Sequence, residues 1–357
     1  MSTTTPTTAR YTPSSLLTLC TDILTAAGVQ PHDAASVAGN LVGANLRGLD
    51  SHGVIRMTAY IKRFAEGKVA ARTEPVVVKE TPGTAVVDAN NGWGAPASVF
   101  AMNLAIQKAR VTGVASVGVR HSNHHGYAAH YGMMALEHNM IGIALTNAEP
   151  VVAPWGAREQ YFGTNPICIA IPAGEERPLV YDGATTVVAH GKIVVARKEH
   201  KPIPPTWALD KHGRPTTDPV VALDGGTVQP MSTYKGSDLA MAVDVLSGIL
   251  PGAAFGPYVG AMLLWGNSAN TGHFFMAMDV GAFGEVDEFK RSVDRMIRDI
   301  KALPLAEGMS RIYMPGEIEF EAEEQRSRDG ITIVEDLEAD LRELAERYGV
   351  SMPSAIG

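Results

Sequence analysis

Between Arg120 and Tyr127 the chain reads Arg-His-Ser-Asn-His-His-Gly-Tyr, and His130 follows three residues later. A neutral imidazole can take a proton from an alcohol near neutral pH, the step that oxidation to a ketone requires. The segment follows a β-branched run and precedes a helical pattern, where α/β proteins put ligand-binding loops. A second chemistry is open to the same residues: His121, His124, His125 and His130 could hold zinc and support a hydrolase. No His-Glu-x-x-His and no paired cysteines accompany them, so no metal is expected. Solvated, idle histidines are the plain alternative, and four within ten residues weigh against it.

The segment Gly48-Leu-Asp-Ser-His-Gly-Val-Ile-Arg56 carries the next candidates. His52, Arg56 and Tyr60 are spaced i, i+4, i+8, which puts them on one face of a helix expected to open at Asp50-Ser51 and run to Gly67. A proton-transfer group, a fork that grips a carboxylate and a phenol on one stripe suit a hydroxy acid. A solvated polar face with a simple cap fits the spacing equally well.

Several clusters bear on a cofactor. Gly92-Trp-Gly94-Ala-Pro-Ala97 follows a predicted strand and fits a loose dinucleotide pattern. The acidic residue expected about 20 positions onward is missing, so the motif is set aside. Alanine at Gly94 is therefore expected to leave cofactor affinity untouched. Thr146-Asn-Ala-Glu-Pro150 ends a predicted strand and Gly163-Thr-Asn-Pro166 precedes another; each alone reads as a turn. Asp182-Gly-Ala-Thr-Thr186 is expected to open the helix bearing Lys192, and Tyr234-Lys-Gly-Ser237 to open another. Helix starts suit anions and ribose hydroxyls, although a capped surface helix accounts for both.

The elements that must position these groups are legible in outline. Leu16, Leu19, Ile23 and Leu24 keep a helical period that Gly28 stops, and a second helix spans Asp33 to Gly48. Past Pro75, β-branched runs at 76–78, 84–88, 114–119, 141–146 and 167–171 alternate with helical stretches at 97–110 and 128–139. Helices are also expected at 236–250, 285–302 and 335–348. Such alternation indicates an α/β protein. The expected layout is a disordered tail over 1–12, a helical N-terminal region over 13–75 packing with 320–357, and an α/β cofactor- and substrate-binding domain over 76–319.

At 357 residues there is room for a large core and a cleft. A net charge of −8 supplies no basic stripe for phosphates, so nucleic acid is not an expected partner. Cys20 and Cys168 lie far apart in apolar stretches, as reduced core thiols of a cytoplasmic protein do. No apolar run reaches the ~20 residues of a membrane span, so no membrane partner is expected. The opening MSTTTPTTARYT lacks the apolar centre of a secretory signal.

Taken in order, Asp50-Ser-His-Gly53, Ser122-Asn-His-His-Gly126, Gly163-Thr-Asn-Pro166, Asp182-Gly-Ala-Thr185, Lys235-Gly236 and Pro315-Gly-Glu317 resemble the malate/L-lactate dehydrogenase family of the second, non-Rossmann type. The resemblance runs from about residue 12 to residue 336. It implies hydride transfer between a nicotinamide and a small 2-hydroxy acid of malate, lactate, ureidoglycolate or sulfolactate type. NAD is the expected cofactor and NADP the alternative; an NADPH-dependent cyclic imine reductase is the alternative activity on this scaffold.

It further implies that His124 accepts the proton, that His52 holds the oxygen or tunes His124, and that Ser51, Arg56 and Tyr60 line the substrate site. The cofactor would lie along Ala148, Asp182, Gly183, Ala184, Lys235, Gly236, Gly316, Glu317 and Ile318. The implied fold is a mixed-sheet α/β cofactor domain without a glycine fingerprint, with the helical N-terminal region and C-terminal helices packed against it. A homodimer or larger homo-oligomer is implied as well. Departures from the family pattern are His125 after Ser-Asn-His, Gly183 where methionine is usual, and Ser-Asp-Leu after Lys235-Gly236.

Overall fold

The computed structural model describes residues 8–260 and 268–356. Thr8–Tyr11 (β1) is a strand that pairs antiparallel with Ile331–Val334, so this part of the expected tail is ordered. Residues 1–7 of the tail lie outside the described residues. The pairing is a contact across the whole chain, which no local pattern announces.

Pro13–Ala26 (α1) starts where Thr12 accepts the Ser15 amide at 3.1 Å and Pro13 sets the first turn. Its period buries Leu16, Leu19, Ile23 and Leu24, each contributing about 1.5–3 kcal/mol on leaving water. Pro31–Leu46 (α2) buries Val37, Leu41 and Val42 against it. The next helix departs from expectation. Asp50–His52 and Val54–Arg56 are two separate 3-10 turns around an extended Gly53, and the α-helix begins only at Met57–Ala65 (α3). Asn45 of α2 is the cause: its Oδ1 takes the Val54 amide at 2.8 Å and its Nδ2 holds Asp50 at 2.6 Å. A side chain competing for backbone donors breaks the helix before it forms.

Val76–Glu80 (β2) and Thr84–Asp88 (β3) form a hairpin, and Gly94–Thr112 (α4) crosses over to Val114–Ser122 (β4). Alanines at 97, 101, 105 and 109 of α4 are all fully buried, and their small size lets the helix sit close on the sheet. The helix expected at 128–139 is only Ala129–Gly132 (α5) followed by a 3-10 stretch, Met133–His138. Met140–Thr146 (β5), Ile167–Ile171 (β6) and Leu179–Gly183 (β7) follow.

Asp182 thus ends a strand instead of opening a helix; its backbone pairs with Cys168, and the helix bearing Lys192 starts later, at His190–Lys198 (α6). A small sheet of Ala208–Leu209 (β8), Pro215–Thr216 (β9) and Thr227–Val228 (β10) surrounds Pro219–Leu223 (α7). Tyr234–Asp244 (α8) opens where expected and passes into a π turn at Val245–Ile249. Thr271–Asp279 (β11), Val286–Lys301 (α9), Glu317–Asp329 (α10), Ile331–Val334 (β12) and Glu335–Tyr348 (α11) complete the chain.

The main sheet has the order β2-β3-β4-β11-β5-β6-β7. Only β3 and β4 are parallel; every other neighbour pair is antiparallel. A Rossmann domain needs a parallel sheet, so the expected mixed, non-Rossmann α/β fold is what the chain adopts. β11, which periodicity did not reveal, is the central strand and buries Phe275 and Ala277. The N-terminal helices share a second core with Ile331, Ile333, Leu341 and Leu344 near the C-terminus. Residues 152–240 form a third core around Val152, Phe162 and Ile193. Among the described residues, no helix is long and apolar enough to cross a membrane.

Candidate active site

Two loops interlock just past the C-terminal ends of the neighbouring strands β3 and β4. Asn123 donates to the carbonyl oxygens of Asn91 and Gly92 at 3.2 and 2.9 Å, and Asn91 N–H donates to His121 O at 2.8 Å. Gly94, the first residue of α4, lies directly beneath this junction. A Cβ there would stand 2.2 Å from Asn123 O and 2.5 Å from His124 O. The Gly92–Ala97 motif does form a strand-turn-helix, but peptide carbonyls of the histidine loop occupy the approach a phosphate would need. Gly126, at φ 81°, is likewise required: a Cβ would strike Asn40 Oδ1 at 1.7 Å.

The loop brings His124 against the first region of the chain. Tyr60 Oη lies 2.7 Å from His124 Nδ1, and the Gly126 amide makes a longer contact of 3.3 Å with the same nitrogen. His52 stacks on His124 with ring centroids 5.8 Å apart, and Ser51 Oγ is 3.0 Å from His52 Nδ1. Arg56 Nε donates to Ser51 O at 2.7 Å, a bond that does not use its two terminal nitrogens. All five residues expected at the substrate therefore meet, although two 3-10 turns and a helix carry them in place of one stripe.

Burial sets their protonation. It pushes His52 down to about 4, with Arg56 assisting, and holds His124 well below its usual value, again assisted by Arg56 and His52. Both imidazoles are neutral near pH 7. Burial likewise keeps Tyr60 a phenol and lowers Arg56, while Tyr60 and Glu149 favour the guanidinium.

The other clusters form two groups. Thr164, Thr185, Met231 and Gly236 share one backbone network: the Thr185 amide donates to Thr164 O, Met231 to Thr185 O, and Gly236 to Met231 O, all at 2.9 Å, while the Ala148 amide donates to Asn165 Oδ1 at 3.2 Å. A Cβ on Gly236 would meet Met231 O at 2.3 Å and Thr185 O at 2.7 Å. Lys235 beside it is exposed. Asp182, Gly316 and Ile318 instead line a cavity of about 240 Å³ together with Arg47, Ala129 and Glu319. Asp182 accepts the Ala129 amide at 2.8 Å, and burial raises its carboxyl to about 6. Arg47 is buried with its Nε unpartnered. Gly183 and Ala184 follow Asp182, partly exposed. Glu317 turns away, to Lys301 at 3.0 Å and the Met314 amide at 2.8 Å.

Comparison with known proteins matches this chain, over residues 11–342, to the family model described as malate/L-lactate dehydrogenase. The chain belongs to the malate/L-lactate dehydrogenase family. A malate dehydrogenase of Pyrococcus horikoshii is 40% identical, with 92% of each chain covered. An L-sulfolactate dehydrogenase of Methanocaldococcus jannaschii is 39% identical over 95% of this chain and 97% of its own. The crystal structure of malate dehydrogenase from Entamoeba histolytica superposes with a TM-score of 0.93 at 31% identity, covering 98% of this chain and all of that one. This chain is accordingly an oxidoreductase acting on the CH–OH group of hydroxy acids.

Family membership overturns the zinc-hydrolase alternative, and the histidines diverge in agreement with it. His121 turns to Asp88 at 2.8 Å, His125 to Ser98 at 3.2 Å, and His130 to Tyr127 at 3.5 Å. Among the described residues, no three His, Cys, Asp or Glu side chains gather to hold a metal. His125 instead stacks on His273, centroids 4.5 Å apart, inside the core.

Sequence reasoning missed several neighbours of the site in this dehydrogenase. His190, at the start of α6, feels both Glu149 and Arg56, and a Cβ on the adjoining Gly191 would lie 3.8 Å from Ser51 Cβ. Arg63, buried one turn beyond Tyr60, donates to Asn123 Oδ1 at 3.3 Å. The spacing of Arg63 from Arg56 and Tyr60 was a usable signal; nothing local pointed to His190.

Proposed function

We propose that this enzyme transfers a hydride between NAD and a small 2-hydroxy acid, with His124 as the proton acceptor. The observation that carries the reading is the meeting of His124, His52 and Arg56 in one half-buried cluster. Arg56 grips the substrate carboxylate with the terminal nitrogens that its Ser51 contact leaves over. To act as base, His124 takes the tautomer in which Nδ1–H donates to the Tyr60 oxygen at 2.7 Å, giving up the longer bond that Nδ1 accepts from the Gly126 amide at 3.3 Å, so that Nε2 offers a lone pair to the hydroxyl. His52, neutral, holds the same oxygen and Ser51 fixes its ring.

Substrate binding also tunes the base. Arg56 is, after burial, the first cause of the depressed His124 basicity. A carboxylate on Arg56 neutralises that charge and raises the affinity of His124 for the proton at the moment it is needed.

The cofactor reading rests on Asp182, Gly316 and Ile318 around the cavity, with the unpartnered Arg47 Nε as a donor for an anionic or hydroxyl group. To these the reading adds Gly183, Ala184 and the Glu317 backbone, next in sequence to the cavity lining, and Ala148, Lys235 and Gly236 from the second group. A nicotinamide held there would supply the acceptor for the hydride that leaves the carbinol carbon. Asp182 and Glu319 favour NAD over NADP, because a 2′-phosphate would meet carboxylates where a ribose hydroxyl meets acceptors. Exposed Tyr234, Met241, Val245, Ile249 and Tyr258 support a homodimer, and buried, unpaired Cys20 and Cys168 support a cytoplasmic setting.

The test is a panel of malate, lactate, sulfolactate and ureidoglycolate, with cyclic imine carboxylates run in the reducing direction, each with NAD(H) and NADP(H). Turnover of a 2-hydroxy acid with NAD is the expected result. Activity confined to cyclic imines with NADPH would replace the reading.

A further inference from the structure

The turns that carry His52 and Arg56 do not hold themselves. Each is a three-residue 3-10 segment closed by only two hydrogen bonds: His52 N to Leu49 O at 2.9 Å and Gly53 N to Asp50 O at 3.2 Å in the first, Arg56 N to Gly53 O at 3.0 Å and Met57 N to Val54 O in the second. Their shape comes from two helices. Arg326 of α10 forks onto Asp50, Nη1 to Oδ1 at 2.6 Å and Nη2 to Oδ2 at 3.0 Å. The same Nη1 donates to Asn45 O at the end of α2, and Asn45 Nδ2 donates to Asp50 Oδ1 at 2.6 Å. Asn45 Oδ1 then receives the Val54 amide at 2.8 Å, on the far side of Gly53. One carboxylate and one amide thus fix both turns, at residue 50 and at residue 54.

We propose that Asp50, Asn45 and Arg326 form a positioning clamp that sets where His52 and Arg56 meet the substrate. None of the three is assigned contact with a reacting atom; they act through the turns. Several features favour positioning over simple stability. Asp50 is about half exposed and Arg326 about a quarter, so the ion pair itself stabilises the fold little. Its bidentate geometry nevertheless restricts orientation strongly. The base of the clamp is rigid, because Arg47, which caps the end of α2, is buried against Glu323 at 2.9 Å and lies over the Phe320 ring of α10 at 4.5 Å. Gly53 leaves no slack either: a Cβ there would stand 2.1 Å from Asn45 Oδ1.

This inference rests on Arg56 and His52 belonging to the substrate site. Asp50→Asn, Arg326→Gln and Arg326→Lys are compared in the full-length enzyme, using the acid turned over fastest in the panel. Asp50→Asn and Arg326→Gln should each raise KM about tenfold, the scale of a misplaced substrate grip. The Kd for NADH by fluorescence and Tm should stay near their parent values. Arg326→Lys, which keeps the charge and loses the fork, should recover part of the loss. The double variant Asp50→Asn/Arg326→Gln should be no worse than the poorer single, since both break one contact. An unchanged KM in both singles, or effects that add in the double, would overturn the clamp. So would a lowered Tm with KM intact, which marks a purely structural bond. Arg56→Lys in the same assay separates the failures: if it alone raises KM, only the clamp falls, and if it leaves KM unchanged, the substrate reading falls and the clamp with it.

Discussion

Alanine at position 94 tests whether this glycine serves the histidine loop. Its Cβ would lie 2.2 Å from Asn123 O, 2.5 Å from His124 O and 2.6 Å from His124 C, where ordinary contact begins near 3.4 Å. All three atoms are backbone, so no side chain can swing aside. The loop must retreat by about 1 Å, or α4 must lift off the sheet that its buried alanines hold it against. Overpacking of this kind costs about 1–3 kcal/mol, which a protein this size can absorb. A shift of about 1 Å at His124 is a different matter, because a misplaced catalytic group can lose about 10²-fold in rate. Gly94→Ala should therefore fold, bind NADH with a nearly unchanged Kd and lose kcat by one to two orders of magnitude. Circular dichroism melts, fluorescence titration of NADH and steady-state turnover read the three quantities separately. A folded variant with kcat within twofold of the parent would refute the reasoning, and a folded variant that no longer binds NADH would restore the glycines to the cofactor.

His124→Ala should lower kcat at least ~10²-fold with cofactor affinity retained, and near-parental turnover would remove His124 from the mechanism. Arg56→Lys loses the planar fork and the Ser51 carbonyl contact, so KM for the acid should rise by about tenfold with a smaller change in kcat, measured across the panel. Lys235→Ala should weaken NADH binding severalfold in a fluorescence titration; an unchanged Kd would take Lys235 off the cofactor.

Stability should fall on acidification below about pH 6.5. Burial holds His52 and His130 down to about 4 and His273 to about 3, and keeps His124 and His125 well below their usual value. Between those values and 6.5 the unfolded chain binds more protons, so each such histidine costs about 1.4 kcal/mol per pH unit as pH drops. Asp182, raised by burial from 3.8 to about 6, acts in the opposite sense across that interval and offsets one of them. Urea titrations at pH 7, 6 and 5 should show a net loss of at least about 1.4 kcal/mol per pH unit; equal midpoints would contradict neutral burial.

Much of the candidate site was readable because it is built from short contiguous motifs. Ser51, His52, Arg56, Tyr60 and His124 share two segments, and residue type alone states their chemistry. Local periodicity also marked α1, α2, α4, α9 and α11, where one apolar face or a run of buried alanines dominates. It failed where long-range pairing decides. β7 forms because Asp182 pairs with Cys168 on β6, and β11 lies central because β4 and β5 flank it on both sides. The helix expected at Asp50 gave way to two turns because Asn45 and Arg326 bind there, the latter from 276 residues away.

What the sequence by itself determined is therefore the set of candidate reactive groups and the helices whose faces bury apolar side chains, since both depend on neighbours a few residues apart. Tertiary structure alone decided that Gly94 supports the His124 loop, that His125 belongs to the core and that Gly191, beside His190, approaches Ser51. Each of these rests on a contact between segments that only the finished sheet brings together, and no local pattern encodes a distance across a sheet.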